Sequence, residues 1–160
     1  MRTVRRVIAC LIVAALCFLY AVPVTRAAST FAADLAVYRA RNTTTSEAAR
    51  ELVSFVTVER RFVRTIKGNS VQFRALLHTY RVTLDQTDYT VRRIVRDQRT
   101  SDGLLADVTE LNSEGLTDAA WVLLKRGLAG QERFLVTVAR AQALMGRCKS
   151  LHTQLQQAGM

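Results

Sequence analysis

Six positive charges fall between Glu59 and Asp85 with no carboxylate among them: Arg60, Arg61, Arg64, Lys67, Arg74 and Arg81. Guanidinium groups carry planar pairs of donors that match the oxygens of phosphate and sulfate, so this cluster is chemistry for gripping anions. A solvated polar face, its charges paired with acids from other helices, fits the same run. Gly68-Asn69-Ser70 interrupts the cluster with turn chemistry. A hairpin there gathers all six charges within about 20 Å of the turn along each helix, at 1.5 Å per residue. A second cluster, Arg92, Arg93, Arg96 and Arg99, is partly neutralised, because Asp88 precedes Arg92 by four and Arg93 precedes Asp97 by four.

Other reactive residue types are thinly spread. His78 and His152 are the only histidines, and neither has a close Cys or His companion, so no metal site is expected. No Gly-rich phosphate loop, paired-cysteine motif, nucleophile elbow or His-Glu metal helix occurs. Asp85 and Asp88 share a helix face without anything to raise them above surface acids. No catalytic residue and no cofactor are therefore assigned. Cys10 and Cys17 sit in an apolar run near the start, which leaves Cys148 as the body's one thiol. It reads either as a small buried helical residue or as half of an intermolecular disulfide. Asn42-Thr43-Thr44 fits the acceptor pattern for N-glycosylation.

The elements that must position these residues begin with a leader. Val7–Val24 holds no charge and follows Arg2, Arg5 and Arg6, the layout of a secretory signal. At about 27 Å as a helix it stands at the low edge of what spans a bilayer core, so a retained single-pass anchor is the alternative. Pro23 and the small residues around Ala27 and Ala28 favour cleavage there. The expected location is secreted or periplasmic, with the body outside the cytosol in either case. An Arg-rich, acid-poor start also suits mitochondrial import as a weaker rival.

Behind the leader lies enough chain for one domain with a single core. It contains no proline, since Pro23 is the only one. The whole chain carries a formal net charge of +10. No segment shows sustained strand alternation, and apolar residues recur at helical spacing. Ser29–Arg41 reads as a short helix broken by Asn42-Thr43-Thr44-Thr45, with a capping box at Thr44–Glu47 opening the next. Leu52, Phe55, Phe62 and Ile66 then form a stripe that Glu59 interrupts. Phe73, Leu77, Tyr80, Leu84, Thr87, Val91, Ile94 and Gln98 alternate gaps of four and three, a coiled-coil-like seam. Thr100-Ser101-Asp102-Gly103 is expected to end that helix, Leu104–Leu111 to form a short third, and Gly127 with Gly130 to bend the last.

The fold expected is all-α: an antiparallel bundle of three to four amphipathic helices. Domain boundaries fall at 1–27 for the signal or anchor, 28–44 for a short helix and linker, and 45–160 for the bundle. The function expected is a non-catalytic binding module, exported or tethered, that meets a protein partner or an anionic membrane or glycan surface through the hairpin tip. Nucleic acid fits poorly, because the nearby aromatics belong to the core stripes. A homodimer through the Phe73–Gln98 seam, a membrane-anchored structural subunit and a small all-helical enzyme are the competing arrangements.

Overall fold

A computed structural model of the chain describes residues 30–68 and 70–159. The chain divides into two units, Met1–Thr30 and Phe31–Met160. The leader, its cysteines and its cleavage site lie outside the described residues, as does Asn69. Among the described residues there are three helices and no strand: α1 Phe31–Thr65, α2 Val71–Ser113 and α3 Thr117–Ala158. Each packs on both others. None is long and apolar enough to cross a membrane among the described residues.

All three helices bury a seam with heptad spacing. On α1 the buried positions are Tyr38, Asn42, Thr45, Ala49, Leu52, Val56 and Glu59, with gaps of four and three throughout. On α2 the expected seam from Phe73 to Gln98 is present and continues through Ser101 to Val108. On α3 it runs through Ala120, Leu124, Gly127, Gln131, Phe134, Val138 and Ala141. A period of 3.5 residues keeps such a seam facing its neighbours over six or more turns, as helices of about 50–65 Å require. Three apolar clusters fill the interior: one around Tyr38, Val108 and Leu124, one around Leu52, Ile94 and Val138, and one around Phe73, Tyr80 and Leu155.

Two expected breaks are absent. The threonines at 43–45 do not cap a new helix. Their hydroxyls donate to the carbonyls of Arg39, Ala40 and Arg41 one turn back, at 3.1, 3.1 and 3.0 Å, and α1 passes straight through. Likewise α2 runs through Thr100–Gly103, absorbing the expected short third helix. Ser101 there is a buried seam residue and not a turn former. In both places the residues resemble turn chemistry because they are polar; Asn42, Thr45, Ser101 and Asp102 among them bond to a neighbouring helix, and Thr43, Thr44 and Thr100 bond back to their own.

The true ends carry local cap and stop signals, the first of them at the expected turn. Ser70 caps α2, its Oγ accepting from the Phe73 N–H at 3.0 Å. Gly68 tolerates the turn's close approach, since a Cβ there would stand 2.6 Å from the Phe73 ring. At the far end Gly115 takes φ +79. The Leu116 N–H reaches the Leu111 carbonyl at 2.9 Å and the Gly115 N–H reaches that of Asn112 at 3.2 Å, a Schellman stop. Gly127 and Gly130 neither divide nor end α3, which is one helix from Thr117 to Ala158. The end of α3 returns to the α1–α2 turn, where Gly159 lies beside Phe73 and Lys67.

Candidate functional site

The α1–α2 turn and the end of α3 bring the first basic cluster to one end of the bundle. The structure separates its members. Arg60 reaches across to α2, its Nη2 lying 2.6 Å from Asp88 and 3.4 Å from Asp85, so its charge is matched. Arg61, Arg64, Lys67, Arg74 and Arg81 are exposed, and none makes an ion pair among the described residues. The two expected helix pairs are present: Arg92 with Asp88 at 3.0 Å and Arg93 with Asp97 at 3.8 Å.

α3 adds to this end in a way the sequence reading passed over. From Arg133 to Met160 there is no carboxylate, while Arg147 and Lys149 fall in the same quarter of the bundle. The signal was an absence of acid, as it was between Arg60 and Leu84. Lys149 lies 5.6 Å from the Phe55 ring centre, its ammonium over an aromatic face.

Beneath the basic surface sits a three-helix cluster that the sequence did not announce. Glu59 of α1, read as an interruption of the apolar stripe, is buried. Its Oε2 accepts the phenol of Tyr80 from α2 and lies 2.7 Å from Nδ1 of His152 on α3. Phe62 stacks on the His152 ring with centroids 3.7 Å apart and meets Tyr80 edge-on at 6.0 Å. Burial pushes the Tyr80 phenol well above its ordinary range, reinforced by its bond to the Glu59 carboxylate and by that negative charge. A phenol so sealed has no route to a substrate. The cluster's chemistry is that of a lock between helices, with a carboxylate shared by two ring groups.

A second polar layer crosses the opposite half. Gln98 of α2 donates to the Asn42 side-chain oxygen at 2.9 Å and receives the Thr45 hydroxyl at 2.8 Å. Asn42 Nδ2 in turn donates to Asp102 at 2.7 Å. The nitrogen that a glycan would occupy is therefore engaged inside a continuous helix, and Asn42 is 8 % exposed. Next to this layer the Tyr38 and Ser101 hydroxyls stand 2.7 Å apart. Cys148 is fully buried, with its Sγ 3.6 Å from the Thr87 hydroxyl. Burial raises its thiol above the ordinary value. Reaching another chain's sulfur would require the bundle to open. His78 is exposed. Among the described residues no group of three His, Cys, Asp or Glu could hold a metal ion.

Comparison with protein-family models, with curated proteins and with solved structures gives no match to this chain.

Proposed function

We propose that this chain is an exported, non-catalytic helical module that docks by the basic end of its bundle onto a membrane surface rich in anionic lipid. The observation that carries this reading is the set of five exposed cations flanking the α1–α2 turn, without an ion pair among the described residues; the acidic side chains that bound them in sequence are Glu59, which is buried, and Asp85 and Asp88, already held by Arg60. Two apolar features at the same end favour lipid over a polysaccharide. Val71, the first residue of α2, is 77 % exposed. A shallow groove lined by Phe62, Ile66 and Leu155 opens beside Lys67. Export itself rests on the charged-then-apolar leader.

A basic residue near an anionic leaflet contributes about 1 kcal/mol. Five of them give roughly 5 kcal/mol, between millimolar and micromolar affinity. Vesicle co-sedimentation tests this. The protein should bind phosphatidylglycerol vesicles, ignore phosphatidylcholine vesicles, and dissociate as salt screens the contact. Arg61→Gln, Arg64→Gln and Arg74→Gln together remove about 3 kcal/mol, a loss of roughly 100-fold. Arg60→Gln should weaken binding far less than any of these, because its charge is already matched. Equal binding to neutral vesicles, or retention by heparin without retention by vesicles, would remove lipid as the target.

A further inference from the structure

A cavity of about 370 Å³ opens on the flank of the bundle between α2 and α3, over Tyr38 of α1. That size is ordinary for a small-molecule site. Its apolar wall is Phe134 and Tyr38, both buried. Its rim holds Arg93, Arg126 and Arg133 against a single carboxylate, Asp97, which Arg93 approaches at 3.8 Å. Arg126 and Arg133 are exposed and make no ion pair among the described residues. Seven residues apart, they stand on one face of α3 about 10 Å from each other.

The two glycines of α3 shape the space. A Cβ at Gly127 would stand 2.7 Å from Leu104 and 2.8 Å from the Tyr38 ring, so glycine lets α3 close on Tyr38 there. A Cβ at Gly130, one turn on, would meet nothing within 4 Å. That position lines the cavity and leaves it open.

Gln131 supplies an independent sign of a missing partner. It is 2 % exposed and lines the same cavity. Its Nε2 donates to the Tyr38 carbonyl at 3.2 Å. A carbonyl can only accept, which fixes the amide's orientation and makes Oε1 the atom left over. That oxygen is buried with no donor. A buried acceptor left unpaired forfeits its hydration with nothing in return, so it calls for an explanation.

We infer that this cavity binds a small organic anion, a carboxylate on an aromatic or aliphatic body that also bears one N–H or O–H. Arg126 and Arg133 take the charged head, Phe134 and Tyr38 pack the body, and the donor satisfies Gln131. The basic end plays no part in it. Anilinonaphthalene sulfonate is a suitable probe, its sulfonate standing in for the carboxylate, with emission as the readout. Binding should saturate at one site. Para-hydroxybenzoate should displace the probe, and its neutral methyl ester should not. Gly130→Leu should abolish binding by filling the cavity. Arg126→Gln with Arg133→Gln should weaken it by about tenfold or more, the scale of a lost charge-assisted contact. Arg61→Gln with Arg64→Gln should leave it unchanged, which separates this site from the membrane reading. If Gly130→Leu does not fold, the arginine pair carries the test, since both side chains are exposed. Emission that never saturates, an ester that competes as well as the acid, or arginine variants that bind like the parent would each overturn the assignment.

Discussion

Replacing Tyr80 by Phe should cost the fold about 1.5–3 kcal/mol, the range for a hydrogen bond to a charged group. Only the hydroxyl is removed. Tyr80 is 0 % exposed, so water cannot take the hydroxyl's place, and its acceptor is the carboxylate of Glu59, itself 7 % exposed. A neutral acceptor would put the loss near 0.5–1.5 kcal/mol instead. Glu59 keeps His152 at 2.7 Å, so the carboxylate is not abandoned. The roughly 3–5 kcal/mol of a fully broken buried pair is therefore not reached. For a domain of this size the change corresponds to a fall in Tm of about 5–15 °C. Urea unfolding followed by circular dichroism measures it, and native helix content should not change. Glu59→Gln and the double variant complete a cycle, in which the pair should be coupled by about 1 kcal/mol or more. A Tyr80→Phe cost within about 0.5 kcal/mol, the range of surface changes, would refute the claim that this phenol locks α2 to α1.

Alkaline stability follows from the same burial. The phenols of Tyr38 and Tyr80 lie above 10.0 and the thiol of Cys148 above 9.0, each chiefly through desolvation. Each group keeps in the folded state a proton that the unfolded chain gives up. Stability is therefore intact below those unfolded values and declines as pH rises past them, by up to about 1.4 kcal/mol per pH unit for each group. A urea midpoint that stays level from about pH 9 to about pH 11 contradicts this. Gly127→Ala should destabilise by about 1–3 kcal/mol through its collision with Leu104 and Tyr38. Gly130→Ala, with nothing within 4 Å, should instead stabilise by up to about 1 kcal/mol. Thermal melts that move the same way for both would show that the local packing is misassigned. Cys148 should resist alkylation in the native protein and react at the rate of unfolding, and it should form no disulfide between chains on a non-reducing gel. Rapid native labelling would show an open seam there.

What the sequence disclosed depended on whether a seam position was apolar. Phe73, Leu84, Val91 and Ile94 advertise their face by type as well as spacing, and the all-helical class with antiparallel connections followed from them. The turn at Gly68-Asn69-Ser70 was legible because cap chemistry is local: the Ser70 hydroxyl serves an N–H three residues on. Asn42, Thr45, Ser101 and Asp102 misled for a physical reason. Their side chains suit a turn equally well, and only partners more than fifty residues away draw them into the interior of a helix. Glu59 and His152 are the same case. Ninety-three residues separate them, and no spacing rule within one helix brings them together. Of the basic cluster, the sequence could supply the charges but not the ion pairs. That Arg60 is satisfied and Arg61 free depends on which face of α1 meets α2. The flank cavity was wholly hidden, because a hollow is set by how closely α3 approaches α2.

The polar layers answer a problem that the heptad seam creates. A pattern of apolar residues at 3.5-residue spacing is nearly unchanged when one helix slides past its neighbour by seven residues. In the observed register Glu59 meets Tyr80, and Asn42 and Thr45 meet Gln98. Sliding α1 by one heptad against α2 brings Glu59 level with Thr87 in one direction or Phe73 in the other. The same slip brings Gln98 level with Ala49 and Leu52, or with Leu35 and Tyr38. Either way a buried carboxylate loses its phenol and a buried amide faces apolar side chains or a filled site, a penalty of several kcal/mol against little loss of apolar contact. Glu59, Asn42 and Gln98 thus do for alignment what Leu52, Ile94 and Val138 do for cohesion. With register set, the end of α1, the start of α2 and the end of α3 come together, so that Gly159 lies beside Lys67 and Phe73.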